Sequence, residues 1–262
     1  MLALIAGTGD LPRVVVAALP ERPLICALDG FAPEVTPDIV FRLERLGSFL
    51  RDLTARGVTH ICMVGGVRRP ALRLRHFDLA TLRLVPTILR GIREGDDGAL
   101  RAFITVLEGH GFRIVGAHEV APDLLPPAGV LTRAHPAGVH AQDAQIGEGQ
   151  VALMGQADLG QACVLRDEQT LATEDDAGTD AMLSGLRDRA AGGILFKAPK
   201  PQQDRRADLP VIGLKTARGA AAAGLAGIVI EADGVMVLDR AGVIAVLDAQ
   251  GMFLWVRPKG MA

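Results

Sequence analysis

Two rhythms of apolar residues alternate along the first half of this 262-residue chain. Short, nearly continuous apolar runs predict buried strands, and stretches whose apolar residues recur every three or four positions predict helices that cover them. The strands are predicted at Leu2–Ala6, Leu24–Leu28, His60–Val64 and Phe112–Val115, and the helices at Val14–Leu19, Phe49–Arg56, Leu79–Arg93 and Leu100–Gly109. This alternation is typical of a parallel, doubly wound α/β sheet.

The second half has shorter and more frequent apolar runs, which predict a second α/β unit. Its strands are predicted at Ala162–Leu165, Thr170–Thr173, Gly193–Phe196, Val211–Leu214, Gly227–Glu231, Met236–Leu238 and Phe253–Val256, and its helices at Asp180–Ala190, Thr216–Ala223 and Arg240–Gln250. Between the halves, residues 122–136 contain four prolines and little periodicity, which is typical of a linker. We therefore predict a Rossmann-like N-terminal domain over residues 1–130 and an α/β C-terminal domain over residues 131–262.

Composition disfavours nucleic-acid binding and a membrane-spanning chain. The net charge of −2, the absence of tyrosine and an aromatic content of 3% leave neither a basic surface nor stacking platforms, so nucleic-acid binding is disfavoured. The three cysteines each lie in an apolar run without metal-ligand spacing, which predicts buried free thiols in a reducing compartment. No apolar run approaches the ~20 residues of a membrane span. We expect a cytoplasmic protein whose contact with a membrane, if any, is transient.

The most unusual segment is the loop of residues 197–210. It places four cations, two carboxylates and three prolines between two apolar runs. A charged, proline-rich loop of this length in a compact domain is usually functional or disordered. Lys197 and Lys200 are suited to neutralise a diphosphate, and Asp204 and Asp208 offer the hard oxygen ligands that Mg²⁺ prefers. The alternative is a charged surface loop with internal ion pairs.

A glycine turn, Gly7-Thr-Gly9, follows the first predicted strand. Glycines there let backbone N–H groups approach a phosphate at a helix N-terminus, so Gly9 and Asp10 are candidate ligand contacts. The alternative is a tight turn in which Asp10 caps the helix and Pro12 opens it. An NAD-dependent oxidoreductase would also use this turn, but Pro12 replaces the third glycine of the dinucleotide fingerprint and Asp29 is a poor ribose partner.

Two further candidates lie at the ends of predicted elements in the first half. His118 and Glu119 follow Gly116 at the end of a strand, where His118 is suited to hold a phosphate or ribose, although a lone histidine is more often structural. Asp97, in the turn predicted between two helices, is suited to ribose or a metal, and its alternative is an acidic helix start.

In the second half, Thr179 and Asp180 precede a predicted helix, so they are either caps or contacts for phosphate or metal. The neighbouring Glu174, Asp175 and Asp176 form an acidic cluster, and its alternative is a solvated turn. No nucleophile elbow, Walker lysine or histidine pair with zinc spacing is present.

Taken together and in this order, eight segments resemble the bacterial UDP-2,3-diacylglucosamine pyrophosphatase family of lipid A biosynthesis, in its metal-dependent form. They are 4–12, Val67-x-Arg69-Pro70, 95–101, 116–120, 178–182, 197–202, 206–213 and 223–228. The resemblance implies a hydrolase of lipopolysaccharide synthesis that splits the diphosphate of UDP-2,3-diacylglucosamine into UMP and 2,3-diacylglucosamine 1-phosphate (lipid X). It also implies a Rossmann-like N-terminal domain and a catalytic C-terminal domain, with substrate between them.

The resemblance further implies Mg²⁺ as cofactor and places the family's essential aspartate on Asp208, with Asp180 as our second candidate metal ligand. The substrate contacts that we predict are Gly9, Asp10, Asp97, His118, Glu119, Thr179, Lys197, Lys200 and Gln203. A membrane-embedded substrate implies transient contact with the inner membrane surface, and a homodimer stays open. The alternative function is a non-catalytic nucleotide-sugar or lipid-binding regulator that uses the same turns and loop.

Overall fold

The computed structural model of the protein describes residues 1–67, 77–93, 95–157 and 159–260. The motif Val67-x-Arg69-Pro70 therefore lies outside the described residues from position 68 onward. The chain divides into two compact units. Unit 1 contains Met1–Pro122 together with Asp204–Asp208, and unit 2 contains Asp123–Gln203 and the residues from Leu209 onward.

Unit 1 is built on a parallel sheet of five strands in the order β3-β2-β1-β4-β5. The strands are β1 (Leu2–Ala6), β2 (Leu24–Leu28), β3 (Ile39–Phe41), β4 (His60–Val64) and β5 (Arg113–Val115). The order reverses between β1 and β4, which is the topological switch point where doubly wound proteins bind ligands. The four predicted strands are confirmed, whereas β3 escaped prediction because three residues are too few to show a period.

The helices of unit 1 begin and end near the predicted positions, with two differences. They are α1 (Leu11–Ala18), α2 (Leu46–Ala55), α3 (Leu79–Leu82), α4 (Val85–Arg93), α5 (Gly95–Gly109) and α6 (Ala117–Val120). The helix predicted over residues 79–93 is broken at residues 83 and 84, and Asp97 lies inside α5 rather than in a turn. An acidic residue in a first helical turn is favoured by the helix dipole.

One face of the unit 1 sheet is covered by α2 and α5. Leu46, Phe49, Leu50 and Leu53 of α2 and Ile104 and Leu107 of α5 pack with Ile5, Ile61 and Ile114 of the strands in one apolar core. Each fully buried leucine or isoleucine contributes about 1.5–3 kcal/mol relative to an exposed one. This apolar layer fixes the sheet whose strand ends carry the candidate residues.

Unit 2 contains a mixed sheet of six strands in the order β6-β13-β11-β9-β7-β8, beside a small parallel pair, β10-β12. The strands are β6 (Gly129–Val130), β7 (Ala162–Arg166), β8 (Gln169–Thr173), β9 (Ile194–Lys197), β10 (Val211–Ile212), β11 (Gly227–Glu231), β12 (Met236–Val237) and β13 (Phe253–Arg257). The central strands β9, β11 and β13 are parallel. The strand predicted from Val211 ends early because α9 begins at Leu214.

Helices cover both faces of the unit 2 sheet. They are α7 (Gly138–Gln156), α8 (Thr179–Leu186), α9 (Leu214–Ala222) and α10 (Arg240–Ala249). Side chains alternate between the faces of a strand, so Leu195 packs in the core beneath α8–α10 while Phe196 packs in the core beneath α7. Lys197 shares the face of Leu195 by the same alternation.

The longest helix, α7, was missed by the sequence analysis. Its buried positions include Asp143, Ala144, Gly147 and Val151, which have helical spacing but little hydrophobicity. A small-residue face carries no apolar stripe, so the pattern that predicts amphipathic helices is absent. None of the helices in the described part of the chain is long and apolar enough to cross a membrane.

The proline-rich segment of residues 122–136 includes an element of the unit 2 sheet. Strand β6 pairs antiparallel with β13, and the backbone N–H of Leu254 donates to the hydroxyl of Thr132 at 2.8 Å. The N–H of Arg133 donates to the carboxylate of Asp248, also at 2.8 Å. The end of this segment is therefore hydrogen-bonded into unit 2.

Candidate active site

The glycine turns after β1 and β4 hold each other at the switch point of unit 1. The N–H of Thr8 donates to the carbonyl of Gly66 and the N–H of Gly66 donates back to Thr8, each at 2.9 Å. A Cβ on Gly7 would lie 2.5 Å from the carbonyl oxygen of Gly66. Gly7 is therefore required first by the close approach of two backbones, a role that the sequence pattern does not distinguish from phosphate binding.

Gly9 and Asp10 remain accessible beside this contact. Gly9 has a positive φ of 93°, and apart from its two chain neighbours no described residue has an atom within 4 Å of the place where its Cβ would be. Asp10 occupies the N-cap position of α1 and is exposed, yet its side chain accepts no capping hydrogen bond. The predicted N-cap position of Asp10, with Pro12 in the first turn, is confirmed without a capping hydrogen bond, and the role of Asp10 as a substrate contact stays a prediction.

At the end of β5, Glu119 and His118 have different environments. Glu119 accepts a hydrogen bond from the N–H of Gly116 at 2.7 Å and so closes the short helix α6. The Nδ1 atom of His118 is buried and has no hydrogen-bond partner among the described residues. A Cβ on Gly116 would lie 2.5 Å from the His118 ring. A buried, unsatisfied ring nitrogen calls for an explanation, and a bound ligand would supply one.

The segment Asp204–Asp208 is held in unit 1 by Arg206. Its guanidinium forms a fork on Asp204, with Nε–Oδ1 at 3.0 Å and Nη2–Oδ2 at 2.7 Å, while Nη1 lies 2.6 Å from Oε1 of Glu108 on α5. These charge-assisted bonds lower the pKa of Asp204. Ala207 packs against the apolar core of unit 1.

Asp208 follows directly in this anchored turn. The N–H groups of Ala207 and Asp208 both donate to the carbonyl of Asp204 at 3.1 Å. The side chain of Asp208 is half-buried. The backbone of the predicted catalytic aspartate is thus fixed by the same turn that Arg206 holds.

The part of the loop that belongs to unit 2 forms a second turn. The N–H of Gln203 donates to the carbonyl of Lys200 at 3.1 Å, and the N–H of Lys200 donates to the side-chain oxygen of Gln203 at 3.0 Å. Pro201 packs on α7, where a Cβ on Gly155 would lie 2.8 Å from its ring. The prolines thus restrict this turn, as predicted from their effect on the backbone.

Lys197 is a buried cation rather than an exposed one. It ends β9 and is only 5% exposed. Its Nζ donates to the hydroxyl of Thr179 at 2.6 Å, and that hydroxyl donates to Oε1 of Glu174 at 2.5 Å. Lys197, Thr179 and Glu174 form what we call the buried relay. The prediction of Thr179 and Lys197 as neighbours in one site is consistent with this contact.

The sequence analysis did not predict Glu174 as a site residue, because it is the first of three consecutive acidic residues that look alike in the sequence. Asp175 and Asp176 are exposed, as expected of a solvated turn, but Glu174 is buried and accepts a further hydrogen bond from the N–H of Gln161 at 2.8 Å. Nothing in the sequence of three consecutive acids separates the first from the others. The side-chain oxygen of Gln161 is buried without a partner among the described residues, so this residue is a second candidate that the sequence did not indicate.

The carboxylates offer a limited set of metal ligands. Asp180 lies 3.1 Å from Nζ of Lys215 and accepts a hydrogen bond from Thr216 at 3.3 Å. The described residues contain no group of three or more His, Cys, Asp or Glu that would cage a metal. Mg²⁺ commonly uses one or two carboxylates plus substrate phosphates. Asp208 fits that arrangement, whereas Asp180 would first have to release Lys215.

All three thiols are buried and free. Burial raises the pKa of Cys26, Cys62 and Cys163 to about 12. A thiol protonated at neutral pH is a poor nucleophile. The predicted reading of the cysteines as buried thiols is confirmed, and none of them is a candidate for covalent catalysis.

The fold and the charged loop define a two-unit α/β protein with a Rossmann-like first unit. Models of the LpxI N-terminal domain and the LpxI C-terminal domain match residues 1–124 and 127–255. The chain is 37% identical over 268 residues to the UDP-2,3-diacylglucosamine pyrophosphatase LpxI of Caulobacter vibrioides, covering 97% of this chain and 96% of that relative. The chain belongs to the LpxI family, which confirms the resemblance to a UDP-2,3-diacylglucosamine pyrophosphatase family, whereas the metal dependence stays a prediction.

Proposed function

We propose that this protein hydrolyses the diphosphate of UDP-2,3-diacylglucosamine in lipid A biosynthesis. One water is consumed, the P–O–P bridge is broken, and UMP and 2,3-diacylglucosamine 1-phosphate are released. The observation that carries the proposal is the match to the named Caulobacter relative along nearly the whole of both chains. The accessible Gly9 turn, the buried Nδ1 of His118, which lacks a hydrogen-bond partner among the described residues, and the buried relay are compatible with it.

We propose nine substrate contacts. In unit 1 they are Gly9, Asp10, Asp97, His118 and Glu119. In unit 2 they are Thr179, Lys197, Lys200 and Gln203, two of which are cations suited to phosphate oxygens. The short hydrogen bonds of the buried relay support Lys197 as a cation of fixed position, because two bonds of 2.5 and 2.6 Å connect it to Glu174.

We propose that Asp208 orients the attacking water. A carboxylate is suited to accept a hydrogen bond from water and to take up its proton as the P–O bond forms. The two N–H bonds to the carbonyl of Asp204 support this role, because they fix the backbone from which the side chain projects. Mg²⁺ held by Asp208 and substrate oxygens, with Asp180 as the second predicted ligand, would offset charge on the phosphoryl group.

The test is UMP release from UDP-2,3-diacylglucosamine by the purified protein, with Mg²⁺ and with EDTA. The wild type should release UMP, and EDTA should abolish release if Mg²⁺ is required. Asp208→Ala should fold normally and lose about 10²-fold or more in kcat, as expected for removal of a group worth several kcal/mol in the transition state. Asp176→Asn, an exposed acid, is the matched control.

No UMP release from a folded wild-type protein would overturn the hydrolase and favour the non-catalytic binding protein. Near-normal turnover by Asp208→Ala would remove Asp208 from the mechanism. Undiminished activity in EDTA, followed by no response to added Mg²⁺, would remove the metal. These three outcomes are independent, so each part of the proposal is tested by itself.

Because the substrate carries two acyl chains, we also propose transient contact with the membrane surface. Co-sedimentation with vesicles containing the lipid substrate, compared with vesicles that lack it, measures this contact. Failure of the protein to sediment with either kind of vesicle would contradict the proposed contact. A homodimer stays a prediction that sedimentation analysis would decide.

A further inference from the structure

The carboxylate of Glu174 uses both oxygens inside unit 2. Oε1 accepts the hydroxyl proton of Thr179 at 2.5 Å, and Oε2 accepts the backbone N–H of Gln161 at 2.8 Å. Glu174 is 8% exposed, so it does not stand in solvent like the acids that follow it. A buried carboxylate is costly unless its oxygens are hydrogen-bonded and a cation is near.

The cation is Lys197, and Thr179 lies between the two charges. The distance from Nζ of Lys197 to Oε1 of Glu174 is 3.9 Å, which is too long for a hydrogen bond. The Thr179 hydroxyl accepts from Lys197 and donates to Glu174, as a hydroxyl with one proton and two lone pairs can. Its single proton gives the relay a fixed direction, so the position of the ammonium depends on the carboxylate.

The location of the relay favours a role in ligand binding. Lys197 is the last residue of β9, which pairs parallel with β11, and the loop with Lys200 follows it directly. Ligands of open α/β sheets bind beyond the carboxyl ends of parallel strands. A purely structural ion pair has no need of this edge, whereas a phosphate-binding cation does.

We propose that Glu174 is a positioning residue that, through Thr179, fixes the ammonium of Lys197 for the diphosphate of the substrate. This inference rests on the proposed function. Glu174 need not touch the substrate. Its removal should weaken the hold on phosphate even at temperatures where the protein is fully folded, which a structural role alone would not do.

The first variants are Glu174→Gln, which keeps shape but removes the charge, and the controls Asp175→Asn and Asp176→Asn, which make the same change at exposed neighbours. UMP release gives kcat and KM, and inorganic pyrophosphate serves as a competitive probe of the phosphate site. Glu174→Gln should raise KM and the inhibition constant of pyrophosphate by similar factors, on the order of 10-fold, with a smaller change in kcat. The controls should match the wild type.

A second pair of variants tests the intermediate hydroxyl. Thr179→Val removes the hydroxyl and should resemble Glu174→Gln, whereas Thr179→Ser keeps it and should raise KM and the pyrophosphate inhibition constant by a smaller factor than Thr179→Val does. The double variant Glu174→Gln with Thr179→Val should be no worse than either single variant, because both changes interrupt the same relay. These variants keep the test decisive if Glu174→Gln itself fails to fold.

The outcomes separate the inference from the proposed function. An inactive wild type overturns the hydrolase, whatever the variants do. An active wild type with Glu174→Gln indistinguishable from Asp175→Asn in KM and pyrophosphate inhibition overturns the positioning role. A Glu174→Gln protein that loses only thermal stability, with unchanged kinetics below its melting temperature, overturns it equally.

Discussion

Two ion-paired networks hold the charged loop, and they use opposite physical means. In unit 2 the buried relay sets Lys197 against Glu174, with side chains only 7% and 9% exposed. In unit 1 Arg206 forms ion pairs with Asp204 and Glu108, and the side chains of Arg206 and Glu108 are 39% and 44% exposed. The first network gains strength from exclusion of water and is expensive to leave half-made, whereas the second is screened by solvent and salt.

The difference teaches which residue type suits each setting. Lys197 is a point charge whose ammonium donates to the hydroxyl of Thr179, while the planar guanidinium of Arg206 spans two carboxylates at once. In the buried relay, exclusion of water strengthens an interaction that the lysine makes without the two-pronged geometry of arginine. In the Arg206 network, several directed hydrogen bonds from one guanidinium offset the weakening by solvent.

The largest effect should come from breaking the buried relay on its cationic side. Lys197→Met leaves the buried carboxylate of Glu174 without this cation, so we expect a loss of about 3–5 kcal/mol in the free energy of unfolding. Urea denaturation measures it. Lys197→Met combined with Glu174→Gln should recover part of the loss, and Lys200→Met is the control at a half-buried lysine of the same loop. A single-variant loss below about 1 kcal/mol would contradict the contrast between the networks.

A smaller effect should follow Arg206→Ala. Partly exposed ion pairs contribute up to about 1 kcal/mol each, so the global stability should change little while the turn of residues 204–208 opens more often. Hydrogen exchange at the amides of Ala207 and Asp208, which donate to the carbonyl of Asp204, should accelerate about fivefold. Salt at about 1 M, where the screening length is about 3 Å, should have a similar effect on the wild type.

Arg56→Ala is the matched control for this prediction, since it breaks the exposed pair with Asp52 in α2. Exchange at residues 207 and 208 should stay at the wild-type rate in that variant. If Arg56→Ala and Arg206→Ala accelerate exchange there equally, the Arg206 network does not anchor the turn.

The smallest effect is a pH dependence that belongs to unit 1. Hydrogen bonds from Arg206 lower the pKa of Asp204 in the folded protein, below the value of about 3.9 that it has in an unfolded chain. Its contribution to stability is therefore complete above the unfolded pKa and is lost as pH falls through the lower folded pKa. The stability advantage of the wild type over Asp204→Asn should shrink in acid. In an Arg206→Ala background that shrinkage should be smaller, because the backbone N–H of residue 206 still donates to Asp204 while the guanidinium is gone. An undiminished shrinkage would contradict the assignment to the Arg206 side chain.

Much of the fold was predictable because it is locally encoded. Strands β1, β2, β4 and β11 have the bounds that their apolar runs predict. A buried strand needs only four or five consecutive apolar residues, a signal that neighbours in sequence carry alone. The helix α7 was not predictable in this way, because its buried face includes Asp143, Ala144 and Gly147 and has only Val151 and Met154 as large apolar residues.

The candidate site also has a part that the local sequence predicts and a part that depends on residues distant in the chain. The loop of residues 197–210 stands out in the sequence by charge and proline content, and Lys197 and Asp208 could be chosen from it. The importance of Glu174 depends on Thr179 and Lys197, which are five and 23 residues away in sequence. Likewise, the close fit of Gly116 beneath His118 is a matter of side-chain packing.

The sequence by itself determined the α/β rhythm of both halves, the family and the unusual composition of the loop of residues 197–210, because each is a property of residues close together in the chain. Only the tertiary structure decided that Lys197 is buried while Arg206 is partly exposed, that Glu174 differs from Asp175 and Asp176, and that Asp204–Asp208 belongs to unit 1. Burial and pairing depend on residues brought together from distant positions, and a one-dimensional pattern contains no information on which of them meet.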